Sequence, residues 1–173
     1  MKIQLQLCIL AALFLGACNS NIDKETAYIN SFYGHVTPQL KLDSLPPNAD
    51  SALWNFAENN PKNSKSDTFA YQAIQIKIAR NMTLQAAKWA EVYLETFKKS
   101  KNHRIDLYVM AAHYYEQHEV FDRALDLYKK FIAEFPEHEI APQARQMIEF
   151  IEKGLITPEQ QLEYLINKRQ PQS

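Results

Sequence analysis

From Asn48 onward, apolar and small residues return every three or four positions, the spacing that gathers them on one face of an α-helix. Tyr108, Ala111, Ala112 and Tyr115 stand at i, i+3, i+4 and i+7. Ala124, Leu127, Tyr128, Phe131 and Phe135 continue the stripe on a second helix, after the polar turn "EQHEVFD". Pro136 closes that helix, because proline cannot extend the hydrogen-bond ladder and restrains the residue before it. An earlier stretch, "TFAYQAIQIKIARNMTLQAAKWAEVYLETF", predicts another helical hairpin. Ala70, Ala73 and Ile74 lie on its first helix, with Ala86, Trp89, Ala90, Tyr93 and Phe97 on its second. "NADSALWNFAENNP" spaces Ala49, Leu53, Phe56 and Pro61 like the second helix of a truncated pair. Downstream, Ala141, Ala144, Ile148 and Ile151 carry the pattern to Gly154, a left-handed helix stop. "TPEQ" then opens a last helix, with Thr157 as cap, Pro158 first in the helix and Gln160 completing a capping box. No run alternates as a half-buried strand would. The pattern predicts an all-α fold.

The N-terminus follows another rule. After Lys2, the run from Ile3 to Leu15 is apolar except for Gln4 and Gln6. That is shorter than the roughly 20 residues a membrane span needs, but it suits a secretory signal. Leu15-Gly16-Ala17-Cys18 resembles the lipobox of bacterial lipoproteins. The resemblance implies cleavage before Cys18 and covalent lipid on its sulfur and its new amine. Several acyl chains make such an anchor effectively permanent. Residues 1–17 are then a signal peptide and 18–47 a lipidated flexible tether, ending at the Pro46-Pro47 breaker. A short ordered patch is expected where Tyr28, Phe32 and Tyr33 pack. Residues 48–169 form the helical domain, and 170–173 are a disordered tail. In the lipoproteins this resembles, an aspartate after the cysteine favours inner-membrane retention, so the resemblance with Asn19 there implies the outer membrane, with the domain expected to face the periplasm.

Composition narrows the chemistry. Of two cysteines, Cys8 leaves with the signal and Cys18 carries lipid, so no thiol remains for a disulfide, a metal site or a nucleophile. The whole chain has 19 basic and 20 acidic residues; removing Lys2 leaves 18 basic, a net charge of −2. A balanced surface offers no electrostatic footprint for nucleic acid. No glycine-rich phosphate loop or nucleophile elbow is present. His113 and His118 in "HYYEQHE" lie five apart, roughly 140° round a helix, and cannot share a metal as an i, i+4 pair does. "KKSKNHR", 98–104, reads as a solvated basic loop offsetting a helix dipole. No catalytic residue, metal or cofactor is assigned beyond the covalent lipid.

The hairpin over 108–136 resembles a tetratricopeptide repeat. Tyr108, Ala111, Ala112, Tyr115, Ala124, Tyr128 and Pro136 fall on the motif's large, small, small, aromatic, alanine, aromatic and proline positions. The 70–97 hairpin departs from it, with Lys77 where an aromatic is expected and no proline after Phe97. Lipobox, tether, alanine-rich pairs, "FIAEFPEHEIAPQA" and the closing "TPEQQLEYL" occur in the order of small tetratricopeptide lipoproteins of bacterial envelopes. These are related to the outer-membrane assembly lipoprotein with such repeats and to the periplasmic repeat partner of the Tol–Pal system. The resemblance implies a short right-handed solenoid that works as a protein-binding adaptor, not an enzyme. By motif register, Tyr71, Gln75 and Ile78 from one hairpin and Val109, His113 and Glu116 from the next should line its concave groove. The expected partner is an envelope protein or peptide. Rival readings are a self-associating structural lipoprotein, forming homo-oligomers, and a glycan-binding or hydrolytic envelope protein.

Overall fold

The computed structural model describes residues 22–34, 36, 41–100 and 103–169. The signal segment, Cys18 and the tail 170–173 lie outside the described residues. Those described are helical, without a strand among them. Helix α1 spans 22–33. A 3-10 turn at Leu42–Ser44 precedes α2 (Ala49–Asn59), α3 (Ser66–Ala79), α4 (Thr83–Thr96) and α5 (Arg104–Gln117). Helices α6 (Phe121–Glu134), α7 (Ala141–Glu152) and α8 (Pro158–Arg169) follow. The chain divides into two compact units, Met1–Met82 and Thr83–Ser173.

In the first unit, α2 packs on α3. The positions read as an apolar face, Ala49, Leu53, Phe56, Ala70, Ala73 and Ile74, are all buried. Helix α1 joins the core through Ile29 and Phe32, which are buried. Tyr33 sits 5.1 Å from Phe69, whose ring meets Phe56 edge-on at 5.2 Å. The Tyr28 hydroxyl donates to Asn48 Oδ1 at 2.7 Å. The ordered patch expected at Tyr28, Phe32 and Tyr33 is thus a helix within a stretch expected to be a flexible tether. Its aromatic rings find apolar surface to cover, which a period search over so short a segment does not register.

In the second unit, α4 packs on α5, α5 on α6 and α6 on α7. Ala86, Ala90, Ala111, Ala112 and Ala124 are completely buried, so helix axes approach closely there and larger side chains have no room. Tyr93, Leu107, Leu127 and Phe131 fill the space between. Helices α3 and α4 form where the earlier hairpin was expected. They belong to different units, and each packs on a neighbour in its own unit.

Helix ends alternate between two designs. Helices α3, α5 and α7 each end in a left-handed residue: Asn81 at φ 60°, Glu119 at 58° and Gly154 at 68°. The next amide closes each end, Met82 N–H on the Lys77 carbonyl at 2.9 Å, Val120 on Tyr115 at 2.8 Å and Leu155 on Phe150 at 2.9 Å. Helices α2 and α6 instead end in a non-helical residue before proline, Asn60 (φ −128°, ψ 52°) and Phe135 (φ −130°, ψ 58°), the proline disfavouring helical backbone in the residue ahead of it. The loops that follow share their hydrogen bonds. Asn63 N–H bonds to the Asn60 carbonyl and Ser66 to Asn63; His138 bonds to Phe135 and Ala141 to His138. At the C-terminal end, Gln160 N–H donates to Thr157 Oγ1 at 3.3 Å, and Gln160 Oε1 accepts from the Thr157 amide at 3.0 Å. The capping box is present as read.

Candidate functional site

The residues expected to form a groove divide between the units. Tyr71, Gln75 and Ile78 follow one another at i, i+4 and i+7 on α3, all half-buried. Val109, His113 and Glu116 do the same on α5, where Val109 is half-buried, His113 exposed and Glu116 mostly covered. One member of the α5 set borders a built feature. Glu116 lines a cleft of about 210 Å³ together with Phe121, Met147, Ile151, Leu155 and Gln161. The cleft is drawn from α5, α7, the start of α6 and α8, and the loop after α7. Gln117 and Glu119 complete the lining with Ile156, so two carboxyl side chains border its apolar residues.

The Glu116 carboxyl is poorly served. Glu116 Oε2 accepts a long hydrogen bond from the Tyr128 hydroxyl at 3.4 Å and lies 3.8 Å from His113 Nδ1. Oε1 is buried with no hydrogen-bond partner among the described residues. Burial pushes the Glu116 carboxyl up to about 7, against the smaller, opposite pull of the Tyr128 hydrogen bond. Burial first, then the neighbouring carboxylate, raises the Tyr128 phenol above its ordinary range. Between the ordinary carboxylate range and about pH 7, the folded chain holds a proton that the unfolded chain has lost. Stability contributed by this group therefore falls as pH rises through that window. Glu116→Gln is expected to stabilise the fold by about 2 kcal/mol at pH 8 and by almost nothing at pH 4. Paired urea titrations at the two pH values check this.

The histidines of "HYYEQHE" are occupied separately. The His113 ring nitrogen Nε2 meets the Gln117 side chain at 3.0 Å, and His118 Nε2 meets Thr83 Oγ1 at 2.9 Å. Among the described residues, no three of His, Cys, Asp or Glu gather in a metal-holding arrangement. None of the described helices is long and apolar enough to cross a membrane.

Three polar clusters went unread in the sequence. Asp50, itself buried, bonds Lys77 Nζ and Arg80 Nη1, both at 2.6 Å. Lys77 had signalled itself as a charge at an expected aromatic position. Arg104, the last residue of the supposed solvated basic loop, is instead the buried first residue of α5. It grips both Glu134 oxygens at 2.5 Å, donates to the Leu94 carbonyl at 2.7 Å, and reaches the Tyr108 hydroxyl at 3.1 Å. The loop's other cations give no hint of this, because the acceptors lie ten and thirty residues away. Glu91 accepts from the Tyr115 hydroxyl at 2.6 Å and from Arg123 at 3.4 Å. These clusters clamp helices together, and each is closed by its own partners.

What the fold defines is an all-α protein with repeating helix-end geometry. No protein-family model, curated protein or solved structure matches the chain.

Proposed function

We propose that the chain is an outer-membrane-anchored periplasmic lipoprotein whose tetratricopeptide-like domain is a protein-binding adaptor in an envelope assembly or maintenance complex. The observation that carries the reading is the cleft beside Glu116, which continues the α5 surface marked by Val109 and His113. A hollow with an apolar part from Phe121, Met147, Ile151 and Leu155 and an acidic edge from Glu116 and Glu119 suits a peptide segment, anchoring one side chain while its neighbours run along the helix.

The repeat reading draws on the alternating helix ends. Closures at Asn81, Glu119 and Gly154 fall where the first helix of each pair would end. Pro61 and Pro136 fall 75 residues apart, about two repeats, where second helices would end. The lipobox supplies the anchor, which confines the domain to one surface and raises its effective concentration there.

The test places a photo-crosslinking residue at His113, exposed on α5, in the full chain expressed in a bacterial envelope. The expected outcome is an adduct with one distinct envelope protein, lost when the cleft is blocked by Met147→Arg in a chain that still shows the native helical spectrum. Adducts only with the chain itself, or none, would sink the adaptor reading. Cys18→Ala is expected to move the protein from the membrane to the soluble fraction; retention at the membrane refutes the anchor.

A further inference from the structure

Helix α8 has two faces, and only one is used inside the chain. The Tyr164 hydroxyl donates to Glu149 Oε1, and Lys168 Nζ reaches both Glu149 oxygens at 2.9 and 2.8 Å. Phe150 packs edge-on against the Tyr164 ring at 6.3 Å. Gln161 Nε2 donates to the Leu155 carbonyl at 3.0 Å. These contacts fix which side of α8 faces α7. At 100° per residue, Glu159, Leu162, Ile166 and Arg169 fall together on the side turned away, within an arc of about 80°. Leu162 is 60% exposed and Ile166 50%, the first being the most open large apolar side chain among the described residues. Neither Glu159 nor Arg169 has an ion-pair partner among the described residues.

The stripe runs acid, apolar, apolar, base, at spacings of three, four and three. Such a stripe complements itself when a second copy lies antiparallel. A two-fold axis passing at the level of Tyr164 puts Leu162 against Ile166 of the other copy, and the same operation puts Glu159 against Arg169. A parallel pairing would set Glu159 beside Glu159 and Arg169 beside Arg169. We propose that the outer stripe of α8 is a homodimer contact, in which two copies of this chain pair antiparallel through Leu162 and Ile166 with Glu159–Arg169 ion pairs at both ends. Knob-in-hole packing of the apolar pair closes the centre, while the end charges set direction and register. One three-turn helix on another buries less than the roughly 1,200 Å² of a standard interface, so the dimer is weak in dilute solution. Confinement to a surface would favour it. The contact lies on α8, away from α5, and stands or falls independently of the adaptor reading.

The test uses the full chain in detergent solution, with Cys8 and Cys18 changed to serine. Chains carrying Leu162→Cys are mixed with chains carrying Ile166→Cys and oxidised. The mixed disulfide is expected to exceed either self-disulfide several-fold, with Asn167→Cys, off the stripe, as the background control. Adding Glu159→Arg to both chains should lower the mixed product at least five-fold, and adding Arg169→Glu as well should restore it. Circular dichroism checks that every variant keeps its helices. Cross-linking at the Asn167 background level overturns the dimer. Self-disulfides in excess, or a yield indifferent to the charge reversals, overturn the antiparallel register.

Discussion

Asp50→Ala is expected to destabilise the first unit by about 3–5 kcal/mol, the cost of breaking a buried ion pair by removing one partner. The Asp50 side chain is 4% exposed and that of Lys77 11%, so neither charge can turn to water without moving the helix that carries it. The carboxylate also holds Arg80, whose guanidinium donates to the Pro47 carbonyl at 2.7 Å and the Pro46 carbonyl at 2.9 Å. One aspartate thus ties α2 to the end of α3 and fixes the chain entering α2. Two features separate this account from a plain packing loss. Lys77→Met added to Asp50→Ala should recover part of the stability, because no charge is then left buried. Asp50→Asn should also fail, since an amide cannot balance two cations. Urea unfolding followed by the fluorescence of Trp54, buried in α2, in a Trp89→Phe background reads the effect. A loss below 1 kcal/mol for Asp50→Ala would show that the cluster is an exposed pair in effect.

Arg104→Ala is expected to cost about 2–3 kcal/mol, less than Asp50→Ala because Glu134 is partly open and rehydrates when its partner goes. What cannot rehydrate is the Leu94 carbonyl, which accepts from Arg104 in a buried setting. Arg104→Lys should restore only a fraction, because an ammonium cannot hold two carboxylate oxygens, a carbonyl and a phenol in one plane. The pH dependence has a definite sign. The Arg104 hydrogen bond holds the Glu134 carboxyl below the usual carboxylate range, outweighing the opposing effect of burial. Its contribution is therefore fully present above the unfolded carboxylate value of about 4.3 and lost as pH falls through the lowered folded value. The gap between wild type and Arg104→Ala should be widest at neutral pH and narrow in acid. Tyr108, raised to about 12 by burial first and by its bond to Glu134 next, stays protonated throughout that range. Urea unfolding across pH, followed by Trp89 fluorescence, measures both the gap and its slope.

Both clusters mark where reading the chain stopped. Lys77 stood out as a charge on an aromatic position, yet its partner Asp50 belongs to another helix, and nothing in the spacing of the chain joins the two. Arg104 sat at the end of "KKSKNHR", and its neighbours made it look like one more solvated cation. Its hydrogen-bond partners become neighbours only when α4, α5 and α6 pack. The same holds for Glu116: of the three α5 residues expected in the groove it alone lines a cleft, and the carboxyl's buried, unpartnered oxygen depends on side chains from α6 and α7. The helix over 22–33 was read as tether with a patch, because three aromatics in a short polar stretch carry little period. Phe69 and Phe56 supply the surface that orders them.

What the sequence by itself determined was the local grammar from residue 48 onward: which stretches are helical, and where most of them stop. Gly154, Pro136 and the Thr157–Gln160 box act within one turn of chain, and their hydrogen bonds need no distant partner. Helix faces were legible for the same reason, since a period of 3.6 residues is a property of neighbours. Only the tertiary structure decided which charges are buried, which helices clasp one another, and which face of α8 is left open. Those outcomes depend on desolvation and on acceptors dozens of residues away, and neither quantity exists until the helices have packed.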